Sequence, residues 1–332
     1  MRAIEQRITG FLHSTAGAAV LAVAALAASY FSFNLGDIPA LGYDKGMGFP
    51  SPGLWVNSPA TSAALGAGCT LACAALMIYI NARFNLLRDI TRLFAGLFIT
   101  MQAACPAVID NFYGGSLLPV AVLLALTLLY SCYNRPVAAS RHVFLAFALL
   151  SAGAMTQYGF IGYLPLFLMG CGQMRVFTWR SLIAALMGIV TPVWICLAFG
   201  WVTTENLLHV TFDSVNDALP PSQALQFASV AGFTSVLGVT LCIINLVKVF
   251  SYNSRSRSYN GFVSLLLFFT CLLGAVDFTN ALFYLPMLNC CVAYQAAQFF
   301  VINRQRRSYA VVLGIIAVYA AFYIWWMFVS IK

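Results

Sequence analysis

Long apolar runs separated by short polar connections extend along almost the whole chain. A helix needs about 20 apolar residues to cross the hydrocarbon core of a membrane. Such runs occur near residues 12–33, 60–80, 91–109, 115–133, 142–156, 158–173, 182–202, 226–247, 261–276, 280–301 and 309–330. Helices surrounded by lipid and by other helices are apolar on every side, so no amphipathic period is expected. The pattern predicts an all-α, polytopic transmembrane bundle of about eleven spans, with residues 1–332 forming one transmembrane domain.

Composition excludes the soluble and disordered classes of protein. Of the 332 residues, 62% are hydrophobic and 8% are charged, and the mean hydropathy is +0.88. A soluble domain is roughly one quarter charged. The 10 cysteines lie in or at the ends of apolar runs and form no Cys-x-x-Cys pair. They are therefore predicted to be small packing residues and not a disulfide framework.

The basic residues predict the orientation of the chain. Of the 17 Lys and Arg residues, all but Lys45 and Lys332 lie before the first span or after even-numbered spans. Cytoplasmic connections are enriched in Lys and Arg, so the N-terminus is predicted inside and the C-terminus outside. Short basic clusters between spans do not form a surface for nucleic acid, and none is expected as a partner. The segment Ala25-Leu26-Ala27 fits a signal-peptide cleavage site, but the apolar stretch continues well beyond it, so we expect the first span to be retained.

The first predicted outer loop, residues 34–59, is rich in glycine and proline, which predicts a rigid irregular segment. It carries Asp37, Asp44 and Lys45, and long structured loops often carry function. Seven of the 9 acidic residues fall on the predicted outer side, and Glu5 and Asp89 fall on the inner side. This distribution fits an outer face that handles a cation, a metal ion or a proton. It equally fits loops that are polar because they are exposed.

The outer loop at residues 203–225 has a helical period. Apolar and polar residues alternate with helical spacing, Thr203 can cap the start, and Pro220-Pro221 can stop the end. The pattern predicts an amphipathic helix on the outer membrane surface. Its polar face carries Glu205, His209 and Asp213 one turn apart, which is either a divalent-metal site or a solvated face.

Two other outer turns carry acids close to the membrane boundary, Asp110 with Asn111 and Asp277 with Asn280. An acidic group at such a position is a candidate for a functional site. For Asp277, a helix-capping role is the alternative.

The predicted hairpin at residues 142–173 is too short for two full crossings. Its helices reach about 48 Å, against roughly 60 Å for two passes. The apex, which includes Gln157 and Tyr158, is therefore predicted to lie below the outer surface and to face protein or a wet cavity. A locally thinner bilayer is the alternative.

Polar residues inside the predicted spans are amides and not charged groups. They either line a cavity or form interhelical hydrogen bonds, and they are Gln102, Gln157, Asn245, Asn289, Gln295 and Gln298. A chain of intramembrane charges, as in an ion-coupled pump, is missing from the sequence, as are the common nucleotide-binding and hydrolase motifs.

Residues 92–201 resemble a known class of membrane enzyme. The segments RLFAGLFITMQAACPAVID, LLPVAVLLALTLLYSCYN and FLAFALLSAGAMTQYGFIGYLPLFLMG resemble the third to sixth spans of GT-C-type membrane glycosyltransferases. The segment VFTWRSLIAALMGIVTPVW also resembles an uncharacterised bacterial family of multi-spanning inner-membrane proteins. The chain departs from the GT-C pattern at Leu117, where those enzymes have an acid, and at Gln157, where they have a lysine.

The resemblance implies a GT-C-like core in a bacterial inner membrane and a substrate linked to polyprenyl phosphate. It implies catalytic roles for Asp44, Asp110 or Asp37, with substrate contacts from Gln157, Tyr158 and Lys45 and with a divalent metal as a candidate cofactor. The first function expected is sugar transfer in envelope glycan assembly. Because of the departures, a non-catalytic scaffold or accessory subunit that binds other inner-membrane subunits is the alternative. A lipid or solute transporter is the third.

Overall fold

The computed structural model describes residues 2–36, 38–39, 41, 46–47, 49–87, 91–203, 219–249, 252–303 and 308–330. All regular secondary structure in these residues is helical, which confirms the all-α prediction. The α-helices are α1 Arg2–His13, α2 Thr15–Leu35, α3 Pro59–Phe84, α4 Leu93–Ala103, α5 Pro106–Ile109, α6 Gly114–Ser131, α7 Pro136–Thr156, α8 Tyr163–Gln173, α9 Trp179–Ala198, α10 Pro221–Val249, α11 Ser254–Val276, α12 Ala281–Ile302 and α13 Ser308–Ser330. Short 3-10 turns lie at Pro52–Trp55, Tyr158–Phe160 and Phe278–Asn280.

Nine helices in the described ranges are long and apolar enough to span a membrane, so this is a multi-pass membrane protein. The predicted spans 91–109 and 158–173 contain shorter helices instead, α4 and α8, of 11 residues each. In the first of these spans the helix breaks before Pro106, which cannot donate a backbone hydrogen bond. The freed carbonyl oxygen of Ala104 accepts a hydrogen bond of 3.1 Å from Gln226 Nε2 of α10.

Two predicted boundaries differ from the structure. The run predicted as a span at 12–33 is divided at Ser14, which caps α2 with a hydrogen bond from the Gly17 amide to its side chain. The preceding α1 is a separate amphipathic helix. In the outer loop predicted at 203–225, the last five residues already belong to α10, because Pro221 begins that helix. Residues 204–218 lie outside the described part of the chain.

Helix α12 forms the centre of the bundle, with nearly all of its residues buried. Its amides bond to neighbouring helices, which confirms the interhelical alternative for these residues. Asn289 donates to Gln102 of α4 (3.2 Å), Asn245 of α10 donates to Gln295 (2.9 Å), and Gln298 donates to Asn260 of α11 (3.0 Å). All ten cysteines are free and eight of them are buried, which confirms their prediction as packing residues.

Asp110 and Asp277 lie at one end of the described bundle, and Arg83, Arg175 and Arg255 lie at the other. At one end, here called the acidic end, Tyr113 OH donates to the Leu282 carbonyl at 2.9 Å. This bond places the turn that carries Asp110 beside the start of α12. Tyr284 of the same helix donates to Asp277 at 3.1 Å.

At the other end, here called the basic end, the rings of Phe84 and Tyr259 pack 5.7 Å apart. The Arg83 guanidinium lies over Phe84, and that of Arg255 lies over Tyr259. The predicted orientation would place this end in the cytoplasm, and it stays a prediction.

Candidate functional site

Asp110 lies at the acidic end, directly after α5, and is 3% exposed. Ser29 Oγ of α2 donates to one carboxylate oxygen, and Ser32 Oγ lies 2.8 Å from the other. The two serines are three residues apart and so face the same side of α2. Both oxygens of the predicted catalytic acid are therefore occupied by hydroxyl groups from within the chain.

The turn after Asp110 is contacted from three directions. Asn111 Nδ2 donates to the Pro39 carbonyl at 3.1 Å, and the Phe112 amide donates to Ser62 Oγ of α3 at 2.9 Å. Gly66 of α3 passes so close that an added Cβ would lie 2.6 Å from the carbonyl oxygens of Ile109 and Asn111. These contacts hold the turn in place between α2, α3 and α6.

Burial raises the pKa of Asp110 to about 6, and the hydrogen bonds from Ser29 and Ser32 act in the opposite direction. Removal from water disfavours the charged carboxylate, whereas hydroxyl donors favour it. The pKa of a carboxyl near 6 suits a group that changes its proton near neutral pH.

The outer loop is anchored to the end of α7 through its backbone. The Met47 amide donates to the Ala154 carbonyl at 3.3 Å, and the Phe49 amide donates to the Met155 carbonyl at 3.1 Å. Because α7 ends at Thr156, these carbonyls lack the partners that a longer helix would supply. At Gly46 an added Cβ would lie 2.2 Å from the Met155 carbonyl, so this contact requires glycine.

An apolar cavity of about 430 Å³ lies beneath this loop, between α7 and α9. We call it the outer cavity. Its lining residues are Phe49, Trp55, Phe144, Ala148, Ala152, Met155, Thr156, Thr191, Pro192, Ile195 and Cys196. From Phe144 to Thr156 it follows α7 for about 18 Å. A long and largely apolar space of this kind suits a hydrocarbon chain better than a free sugar.

The hairpin apex lies next to the acidic turn. Gln157 is 1% exposed, and an added Cβ on Gly114 would overlap its side-chain oxygen. The Gly159 backbone packs on the Phe283 ring of α12. The Gln157 side chain therefore faces protein, and the depth of the hairpin in the membrane stays a prediction. On the other side of the turn, the Trp55 and Phe112 rings lie 6.2 Å apart and connect it to the outer cavity.

Several predicted site residues lie outside the described ranges: Asp37, Asp44, Lys45, Glu205, His209 and Asp213. Within the residues that the structure describes, no group of three metal-binding side chains is brought together. Asp277 accepts hydrogen bonds from Thr279 (3.3 Å) and Asn280 (3.0 Å) in its own turn, an arrangement typical of a capping residue.

Sequence reasoning missed Ser29 and Ser32 as partners of Asp110, and also missed the outer cavity. The serines stand in the first apolar run, where their i, i+3 spacing on an otherwise apolar helix is the signal that points to a buried polar partner. The cavity has no comparable signal, because its walls are ordinary apolar residues.

No protein-family model, curated protein or solved structure matches this chain. The resemblance to GT-C enzymes therefore stays a prediction.

Proposed function

We propose that this protein binds a polyprenyl-phosphate-linked sugar at the outer face of a bacterial inner membrane and transfers the sugar in envelope glycan assembly. The proposal includes a GT-C-like bundle of about eleven spans, with the N-terminus inside and the C-terminus outside. The observation that carries it is the outer cavity, an apolar groove of about 430 Å³ that ends beneath the anchored loop.

The groove suits the carrier lipid for three reasons. Its walls are largely apolar, its length along α7 accommodates several isoprene units, and the Thr156 hydroxyl is one of its few polar lining groups. Asp44 and Lys45 directly precede Gly46, the residue that packs on the end of α7. Lys45 is the basic residue expected to bind the carrier phosphate, since a lysine ammonium binds phosphate as a point charge.

Asp44 is the general base in this proposal. It removes the proton from the acceptor hydroxyl as that oxygen attacks the anomeric carbon, and the polyprenyl phosphate leaves with the electron pair of the broken bond. Asp37, in the same loop, is the other candidate base, and Gln157 and Tyr158 contribute to the substrate site. Asp110 acts by holding the turn between α2 and α3, because its oxygens are occupied by Ser29 and Ser32.

Native mass spectrometry of the protein extracted from its own membrane in mild detergent tests the binding step. Ala148→Trp fills the outer cavity and is expected to remove a bound polyprenyl-phosphate species. Ala231→Trp fills a different cleft of about 280 Å³ and is the matched control. Retention of the lipid by Ala148→Trp, or its absence from the unmodified protein, would contradict the proposal.

Transfer of a labelled sugar from a polyprenyl-phosphate donor tests the chemistry. Asp44→Asn is expected to lower transfer at least about 100-fold, the contribution typical of a general base. Asp277→Asn, an acid at the same end that is bonded within its own turn, is expected to leave transfer unchanged. Full transfer by Asp44→Asn would exclude its role as the base.

A second candidate function is a non-catalytic scaffold or accessory subunit. The observation that favours it is the buried Asp110, which serves the fold and is 3% exposed. This candidate predicts a stoichiometric protein partner in the same mass spectrum and no effect of Asp44→Asn on the assembly.

A further inference from the structure

Three connections meet at the basic end and bring arginines together. The Asn134 amide donates to the Met174 carbonyl at 3.0 Å, which joins the turn after α6 to the turn after α8. The start of α11 joins both, because Ser254 Oγ lies 3.2 Å from Tyr133 OH and accepts a 3.4 Å hydrogen bond from the Arg175 guanidinium.

Arg255 adds a second guanidinium to the same place. Its Nε donates to Tyr259 OH at 2.9 Å, and the Tyr259 and Tyr133 rings pack 5.5 Å apart. The charge of Arg135 also acts on Tyr259. We call this group the arginine site: Arg135, Arg175 and Arg255 around the hydroxyls of Tyr133 and Ser254.

The positive charge of this site has no counterpart in the part of the chain that the structure describes. All three arginines are exposed, and none is paired with a described carboxylate. Arg255 also stands in the first turn of α11, where the helix end is itself positive, and Asn253 makes no side-chain capping bond there. In agreement, the pKa of Tyr133 is lowered by the Ser254 hydrogen bond and, further, by the charges of Arg175 and Arg255.

The backbone at Arg175 indicates that its side chain is needed. Its φ is +59°, in the left-handed region, and the Val176 amide closes the turn by donating to the Cys171 carbonyl at 2.9 Å. Glycine is the usual residue at such a helix end. An arginine there places a guanidinium beside Ser254 at the expense of backbone strain.

The surroundings of the site favour a membrane interface. Phe177 and Trp179, which directly follow it in the chain, are 56% and 74% exposed. Exposed aromatic residues beside tyrosines are typical of the headgroup level of a bilayer. Basic pockets between spans on the cytoplasmic side characteristically bind anionic lipid headgroups.

We propose that the arginine site binds the phosphate of an anionic phospholipid in the cytoplasmic leaflet. The guanidiniums of Arg175 and Arg255 bind the phosphate oxygens, the hydroxyls of Tyr133 and Ser254 donate further hydrogen bonds, and the acyl chains lie against Phe177 and Trp179. The site is at the opposite end of the bundle from the outer cavity and does not depend on sugar transfer.

The test is a titration of the delipidated full-length protein with phosphatidylglycerol or phosphatidylcholine of the same acyl chains, followed by native mass spectrometry. Phosphatidylglycerol is expected to bind more tightly. Arg175→Gln and Arg255→Gln are each expected to weaken that binding about fivefold, and together about 25-fold, since each basic residue near the surface contributes about that much. Arg180→Gln removes an exposed arginine that is not part of the site and is expected to weaken binding less than either of the two site variants does.

Equal binding of the two lipids, or an equal loss in Arg180→Gln, would overturn the proposal in favour of unspecific attraction. A parallel titration with inorganic phosphate tests whether the site binds a soluble anion instead. If phosphate occupies the site at the lipid's own concentration and phosphatidylglycerol does not displace it, the site belongs to a soluble anion and the proposal fails. Arg175→Gly gives an independent variant that fits the backbone, and it is expected to lose binding as Arg175→Gln does.

Discussion

The charged groups at the two ends of the bundle differ in burial and in hydrogen-bond partners. At the acidic end, Asp110 is buried and both of its oxygens are occupied by serine hydroxyls of α2. At the basic end, Arg175 and Arg255 are exposed and lie beside hydroxyls without a described carboxylate. A carboxyl group whose partners lie within the chain serves the fold, whereas a charge that lacks such partners is available to a ligand. The surroundings of Asp110 are therefore tested by measuring the free energy of unfolding, and the arginine site is tested by measuring lipid binding.

The largest effect is expected from removing the hydroxyls of Ser29 and Ser32 together. The double Ser→Ala variant leaves a buried carboxylate without donors, and we expect a loss of about 3–5 kcal/mol, since hydrogen bonds to charged groups contribute about 1.5–3 each. The free energy of unfolding in detergent measures this loss. Ser131→Ala with Ser229→Ala is the control, because those hydroxyls donate to carbonyls of their own helices. A similar loss in the control would show that Asp110 is not the reason.

Gly66→Ala is expected to separate the acidic turn from α3. The new Cβ meets two backbone oxygens at 2.6 Å, and backbone moves less readily than a side chain, so we expect a loss of about 2–3 kcal/mol. Gly68→Ala lies on the same helix with no atom within 4 Å of the added Cβ. It controls for helix propensity and is expected to be neutral or slightly stabilising in the same thermal unfolding measurement.

The buried acid predicts a pH dependence. Because the pKa of Asp110 is raised to about 6, from about 3.9 in an unfolded chain, its contribution to stability is fully present below about pH 4. It is lost as the pH rises through 6, and the loss is on the order of 2 kcal/mol by pH 7.5. In Asp110→Asn this part of the dependence should be absent, and an unchanged pH profile would refute the assignment.

The smallest expected effect is an increase in the free energy of unfolding. Arg175→Gly relieves the left-handed backbone and is expected to raise the free energy of unfolding by about 0.5–1 kcal/mol, while lipid binding falls. Arg257→Gly in the first turn of α11 is the comparison, because glycine lowers stability inside a helix. If Arg175→Gly is instead destabilising, the arginine supports the fold and the contrast between the two ends is lost.

The positions of the helices could be predicted because the apolar runs are long and each must cross a membrane. The breaks within the apolar runs were harder to predict. The run at 91–109 reads as continuous, yet α4 ends before Pro106, where Gln226 of the distant α10 satisfies Ala104. The division of the first run at Ser14 depends on a side-chain cap within an apolar context.

The candidate site was predictable only in part. Asp110 was indicated by its place at a short turn, but its serine partners are 78 and 81 residues away in the sequence. The basic clusters were evident from their charges. That Tyr133, Arg175 and Ser254 meet follows from the packing of three connections, and no local pattern in the sequence indicates it.

The central position of α12 has a consequence for biogenesis. A ribosome makes this helix late, after α2 to α11 have emerged, yet α4, α6, α10 and α11 all pack against it. Until it arrives, the amides of Gln102 and Asn245 lack the partners that it supplies, and the earlier helices surround a vacant axis. The bundle therefore cannot reach its final packing before residues 281–302 have been inserted.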